Sequence, residues 1–193
     1  MMINTHKILA KNFINNLDDE KKIIIKESQF SWGNIKPDFA SKYKLKKHYL
    51  DESIEMIIGK IYFLSSLSLS YIYNVYGINK FNQELGVICH FLCDYFCLPH
   101  NQRWEFKSAN VVKEHLKYEK ELNKVAKIVK FPKIINRNVS SADADKFILD
   151  LIKAYEQEEG YVNDLKYAYY ACNTILNTII GEILYNELQF EFG

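Results

Sequence analysis

Apolar positions along this chain recur mostly at helical spacing. Ile8, Leu9, Phe13 and Ile14 or Leu17 form one stripe behind Thr5, which predicts a first helix capped by that threonine. Ile23, Ile24 and Ile25 follow the acidic Asp18, Asp19 and Glu20, and their pattern fits a helical turn or two, or a strand. Residues 28–43 read as a loop, because Trp32-Gly33-Asn34 and Lys36-Pro37-Asp38 are turn signals. Helices are then expected over 51–76, ended by Gly77, and over 81–98, ended by Pro99. A loop over 101–106 leads to a helix over 109–129, stopped near Pro132, and a linker over 130–140. Ser140 or Ser141 caps a helix over 142–156, and Gly160 sets off a last one over 161–188. Glycine, proline and alternating β-branched runs are scarce. The predicted fold class is therefore all-α, a single-domain helical bundle over residues 1–193.

Composition narrows this little. An apolar fraction of 48% suffices for one sizeable core. The net charge of +1, from 25 basic and 24 acidic side chains, gives no electrostatic case for nucleic acid. Lys42, Lys44, Lys46 and Lys47 form a basic run, by default a solvated face and more sharply an attractor of phosphate. The start Met1-Met2-Ile3-Asn4-Thr5-His6 lacks the basic and apolar segments of a secretory signal, so a cytoplasmic location is expected. The longest uncharged run, 61–79, holds Ser65, Ser66, Ser68, Ser70 and Asn74, which favours a buried helix over a transmembrane span. Cys89, Cys93 and Cys97 stand at i, i+4 and i+8 and, with Cys172, read as small buried hydrophobes in a reducing compartment. A thiolate metal site is the sharper alternative, without the usual C-x-x-C spacing.

The histidines change the picture. There are five: His6, His48, His90, His100 and His115. Two open an i,i+4 pair with a carboxylate, His90 with Asp94 and His115 with Glu119. Such pairs lie on one helix face and can close on one cation at bonds of ~2.0–2.2 Å. His90 and Asp94 sit in the apolar stretch 85–94, where a carboxylate must be paired or bind metal. Gly86, one turn earlier, leaves room for close backbone approach. Singly, each feature has a plain reading: a core His–Asp hydrogen bond, a helix-end His100 after Pro99, or a solvated His115 among Lys113, Lys117 and Lys120. Together, the whole histidine complement points to a polynuclear zinc site.

The order and spacing resemble the zinc-dependent phospholipase C family, related in fold to the S1/P1-type nucleases. The resemblance rests on His90-x-x-x-Asp94, Pro99-His100 and His115-x-x-x-Glu119, with His6, Asp38 and His48 matching upstream by order, and spans about residues 5–120. It implies two or three zinc ions: one held by Asp38, His48, His90 and Asp94, and a second by His100, His115 and Glu119. A third would take His6, a shared Asp94 and the terminal amine at Met1. It further implies hydrolysis of a phospholipid or other phosphodiester by zinc-activated water, with Asp38 orienting the nucleophile or taking its proton. Two other readings stand beside it. One is a single-strand nuclease on the same scaffold, less favoured by the near-zero charge. The other is a non-catalytic zinc-binding helical protein.

Overall fold

A computed structural model describes residues 1–39, 48–104, 110–134 and 139–192, and among them there is no strand. The all-α class is correct. Helix α1 spans Ile3–Asn16 and starts earlier than its sequence suggests: Met2 is the capping residue, and Thr5 lies buried inside the helix, its hydroxyl facing Asn123 Oδ1 at 3.4 Å. The chain enters the core at once, since Met1 itself is buried. A one-turn α2, Asp19–Lys22, follows, and Ile24 reaches the core from the turn behind it.

The predicted loop over 28–43 is largely helical where it is described. Helix α3 spans Glu27–Gly33 and α4 spans Lys36–Phe39. Residues 40–47, with the lysine run, lie outside the described residues. The turn signals misled because their glycine serves packing. A Cβ on Gly33 would come 2.8 Å from Gln83 Cα, and one on Gly86 would come 2.6 Å from Asn34 N. The pair lets two backbones touch, which binds the α3 segment tightly to the central helix.

The expected helix over 51–76 is two. Helix α5 spans Leu50–Ser65, and after a break the chain continues as α6, Leu69–Tyr71, and a π-helical turn, Ile72–Tyr76. The two arms are bent by 104°. Ser68 Oγ accepts from Tyr71 N at 3.2 Å and caps the second arm. Asn186 Nδ2 donates to the carbonyls of Ser65 and Leu67 at 2.8 and 3.0 Å, satisfying the freed groups of the first. Among the described residues no single helix is long and apolar enough to cross a membrane, although the bent pair passes that test by length and composition.

Helix α7, Ile78–Tyr95, is the axis of the molecule, buried on every side from Leu85 to Tyr95. A single turn, α8 (Leu98–Asn101), leads towards α9, Val111–Ile128. Ser140 caps a 3₁₀ turn, Ser141–Asp143, that opens α10, Ala144–Tyr155, and α11 spans Tyr161–Phe192. One continuous apolar cluster runs from Met1 to Ile183 through α1, α5, α7, α10 and α11. Asp164, in the first turn of α11, ties four segments together. It accepts from Tyr155 Oη at 2.8 Å, Tyr118 Oη at 3.0 Å and the Leu98 amide at 3.2 Å. That node fixes α8 and α9, the carriers of His100, His115 and Glu119.

Candidate metal centre

The site is built outward from α7. His90 and Asp94 project from one face of the helix, with His90 Nε2 3.3 Å from Asp94 Oδ2. Asn34, just past α3, receives the other ring nitrogen: His90 Nδ1 donates to its carbonyl oxygen at 2.9 Å. This bond, made possible by the Gly33–Gly86 contact, leaves Nε2 as the bare acceptor of the neutral ring. Around that nitrogen stand His48 Nδ1 at 3.2 Å and Asp38 Oδ1 at 3.7 Å. His48 Nδ1 is also 2.8 Å from Asp94 Oδ2. His6, from α1, stacks on the His90 ring with centroids 4.2 Å apart and points Nε2 at Asp94 Oδ1 over 3.4 Å.

The other oxygen environment of Asp94 opens the second half. The Met1 amine donates to Asp94 Oδ1 at 2.5 Å and lies 3.1 Å from Glu119 Oε1 and 3.2 Å from His100 Nε2. His100 Nε2 and His115 Nε2 approach Glu119 Oε1 to 3.2 and 2.9 Å. Pro99 sits in the first turn of α8 and turns His100 inward. Three groups of potential donors emerge, each with its ligand atoms within 4.8 Å of one another: His6, Asp38 and His90; His48, His90 and Asp94; and Cys97, His100 and Glu119.

All nine residues predicted from the sequence therefore meet in one place. Asp38 groups with His6 and His90, whereas His48 groups with His90 and Asp94, so His90 joins the two sets. His115 reaches the cluster through Glu119. Sequence reasoning missed Asn34, which acts through its backbone and leaves no side-chain signal. It also set Cys97 aside as packing. The side chains of His6, His90 and Asp94 are at most 1% exposed, whereas His48, His115 and Asp38 are 17, 22 and 25% exposed. The centre reaches solvent at those three residues. Beside Asp38, the exposed rings of Phe39 and Trp32 stack with centroids 6.3 Å apart.

The electrostatics are those of a place made for cations. Burial opposes the charge of Asp94, yet the Met1 ammonium first, and the charged His6 with it, hold its carboxyl well below the usual range. Burial likewise opposes Glu119, and the amine and His100 hold it low. Burial lowers His90, reinforced by His6, so that ring stays neutral. His6 takes the proton instead: burial works against it, but Asp94 raises it to about 9. Burial and the Asp94 charge push Asp38 up. His6 has only the 3.4 Å contact of Nε2 with Asp94, and neither buried ring nitrogen makes a well-formed hydrogen bond. A buried imidazole so loosely satisfied suits a place for an ion. Nitrogen and carboxylate donors in this number fit zinc.

A family model described as zinc dependent phospholipase C matches residues 5–162. The match runs past the motif-bearing helices and through α10. No curated protein and no solved structure matches the chain.

Proposed function

The chain belongs to the zinc-dependent phospholipase C family, and from that premise we propose that it hydrolyses a phosphodiester, a phospholipid first among candidates, using two or three zinc ions. The observation that carries this is the convergence of five histidines, three carboxylates and the Met1 amine on one cluster, where the buried His6 makes no well-formed hydrogen bond. Asp38, His48, His90 and Asp94 would hold one ion. His100, His115 and Glu119 would hold a second, and His6, Asp94 and the Met1 amine a third. When bound, zinc supplies a lowered pKa for water and stabilisation of charge developing on phosphate oxygens.

The chain's own residues do the rest. Asp38 is a carboxylate where the centre reaches solvent, and it serves as the group that orients the nucleophile or takes its proton. The Asn34 carbonyl holds His90 in one tautomer and one orientation. Phe39 and Trp32 offer an exposed aromatic rim beside Asp38, against which the apolar part of a lipid can pack. The net charge of +1 argues against a nuclease.

The test is turnover with metal content measured in parallel, on diacyl phospholipids, a soluble aryl phosphodiester and single-stranded nucleic acid. We expect cleavage of phosphodiesters that chelation abolishes and zinc restores. Asp38→Asn keeps the shape and removes the base, so turnover should fall by ~10²–10⁴-fold. A zinc-loaded wild type that cleaves none of the substrates overturns the enzyme reading. Cleavage of nucleic acid alone overturns the lipid assignment.

A further inference from the structure

We infer that Cys97 is a thiolate ligand to the cation held by His100, His115 and Glu119, so that this half of the centre carries a sulfur donor. The inference rests on the zinc reading above and adds a residue to it. Cys97 Sγ, a His100 ring nitrogen and a Glu119 oxygen lie within 4.8 Å of one another.

Its sequence spacing suggests that Cys97 should stack with Cys89 and Cys93 on one helix face. It does not. Helix α7 ends at Tyr95, Phe96 bends the chain, and Cys97 adopts an extended backbone, φ −114 and ψ 116. Its carbonyl oxygen then accepts from the amides of His100 and Asn101 at 2.8 and 2.9 Å. The thiol and the His100 imidazole are thereby held on one short turn, three residues apart, facing α9. The other cysteines have a different occupation. Cys93 Sγ lies 3.8 Å from Cys172 Sγ, and the Cys172 thiol donates to the Cys89 carbonyl oxygen at 3.5 Å. Those three fill the contact between α7 and α11, where Cys93 also borders His6, and among the described residues it is Cys97 that groups with His100 and Glu119.

Donors bonded to one tetrahedral ion, at ~2.3 Å for sulfur and ~2.0–2.2 Å for nitrogen or oxygen, stand roughly 3.3–3.8 Å apart. Cys97, His100 and Glu119, whose donor atoms lie within 4.8 Å of one another, would close onto one ion with movements of about an ångström. On binding, the S–H bond of Cys97 breaks, a sulfur–metal bond forms and the proton leaves to solvent, with no change of oxidation state. With His115, which meets Glu119 at 2.9 Å, one sulfur, two imidazoles and a carboxylate would be available to an ion held there. A thiolate also biases the site towards zinc, cobalt or cadmium over magnesium or manganese.

The test uses the full chain, loaded with zinc for X-ray absorption and with cobalt(II) for optical spectroscopy. We expect a zinc–sulfur scattering shell at ~2.3 Å and a near-ultraviolet sulfur-to-cobalt charge-transfer band. The band should vanish in Cys97→Ser and persist in Cys93→Ala. Zinc bound with nitrogen and oxygen scatterers alone, or a band that survives Cys97→Ser, overturns the inference and leaves the zinc reading standing. A wild type that takes up neither metal overturns both. Should Cys97→Ser fail to fold, the scattering shell of the wild type decides.

Discussion

Asp94 is the residue that both halves of the centre share. One of its oxygens faces His48 and His90, and the other faces Met1, His6 and His100. No other side chain here could lose its charge with so many partners left behind. Asp94→Asn keeps the volume and removes the negative charge, leaving the Met1 ammonium and the protonated His6 without their nearest anion. Breaking a buried ion pair of this kind costs ~3–5 kcal/mol, with Glu119 softening the loss at Met1. We expect chelator-treated Asp94→Asn to unfold at clearly lower denaturant, and the reconstituted variant to hold at least one zinc fewer. Unchanged zinc stoichiometry by elemental analysis would refute the role of Asp94 as shared ligand.

At the scale of elements, the decisive contact is α3 against α7, made at Gly33 and Gly86. Gly86→Ala adds a carbon where Asn34 N lies at 2.6 Å, so the α3 segment must move away from the helix. Overpacking of this kind typically costs ~1–3 kcal/mol. It should also lengthen the His90–Asn34 bond and weaken zinc retention against a chelator; wild-type zinc affinity would count against the argument. Asp164 governs the other side. Burial pushes its carboxyl up to about 6, against three donors. Because the native state keeps this proton to higher pH than the unfolded chain does, the unfolded state binds fewer protons between about 3.8 and 6. Stability from this group therefore falls as pH rises through that window, by roughly 2–3 kcal/mol. The difference in unfolding free energy between wild type and Asp164→Asn should shrink from pH 4 to pH 7, which cancels pH effects common to both. A difference that grows would contradict it. These two contacts also mark the limit of what the sequence disclosed. The helices bearing His90, His115 and Ser140 were legible, because apolar period and caps are local. Gly86 was legible as a point of close approach, but its partner Gly33 read as a turn. The break at Ser66–Ser68 was not legible, because its satisfaction comes from Asn186, more than a hundred residues on. Met1, His6, Asp38 and His48 were located through family resemblance; alone, each looked ordinary.

Across the whole molecule, the centre collects groups from the terminus, α1, α4, the entry to α5, α7, α8 and α9. A cation there pins together segments whose own contacts are otherwise distant in sequence, so anything that binds the native state alone raises its stability by mass action. The most demanding part of this arrangement is the Met1 amine. It is buried against Asp94, Glu119 and His100. An amine at that point is an ammonium when alone and a neutral nitrogen donor when an ion replaces its proton. Either state needs the terminus itself, since a peptide nitrogen in its place carries no charge and no free electron pair. We therefore expect that a form extended by two residues ahead of Met1 loses one zinc of the set. Its melting temperature should fall too, because the extension drives the start of α1 out of the core. The ions assigned to His48 and His90 and to His100 and His115 should remain, since neither set uses the amine. Elemental analysis and thermal melts of the extended form, beside the same chain after the extension is cleaved off exactly at Met1, decide it. If both forms carry equal zinc and melt together, the terminal amine is no ligand, and His6 and Asp94 hold a cation without it or hold none.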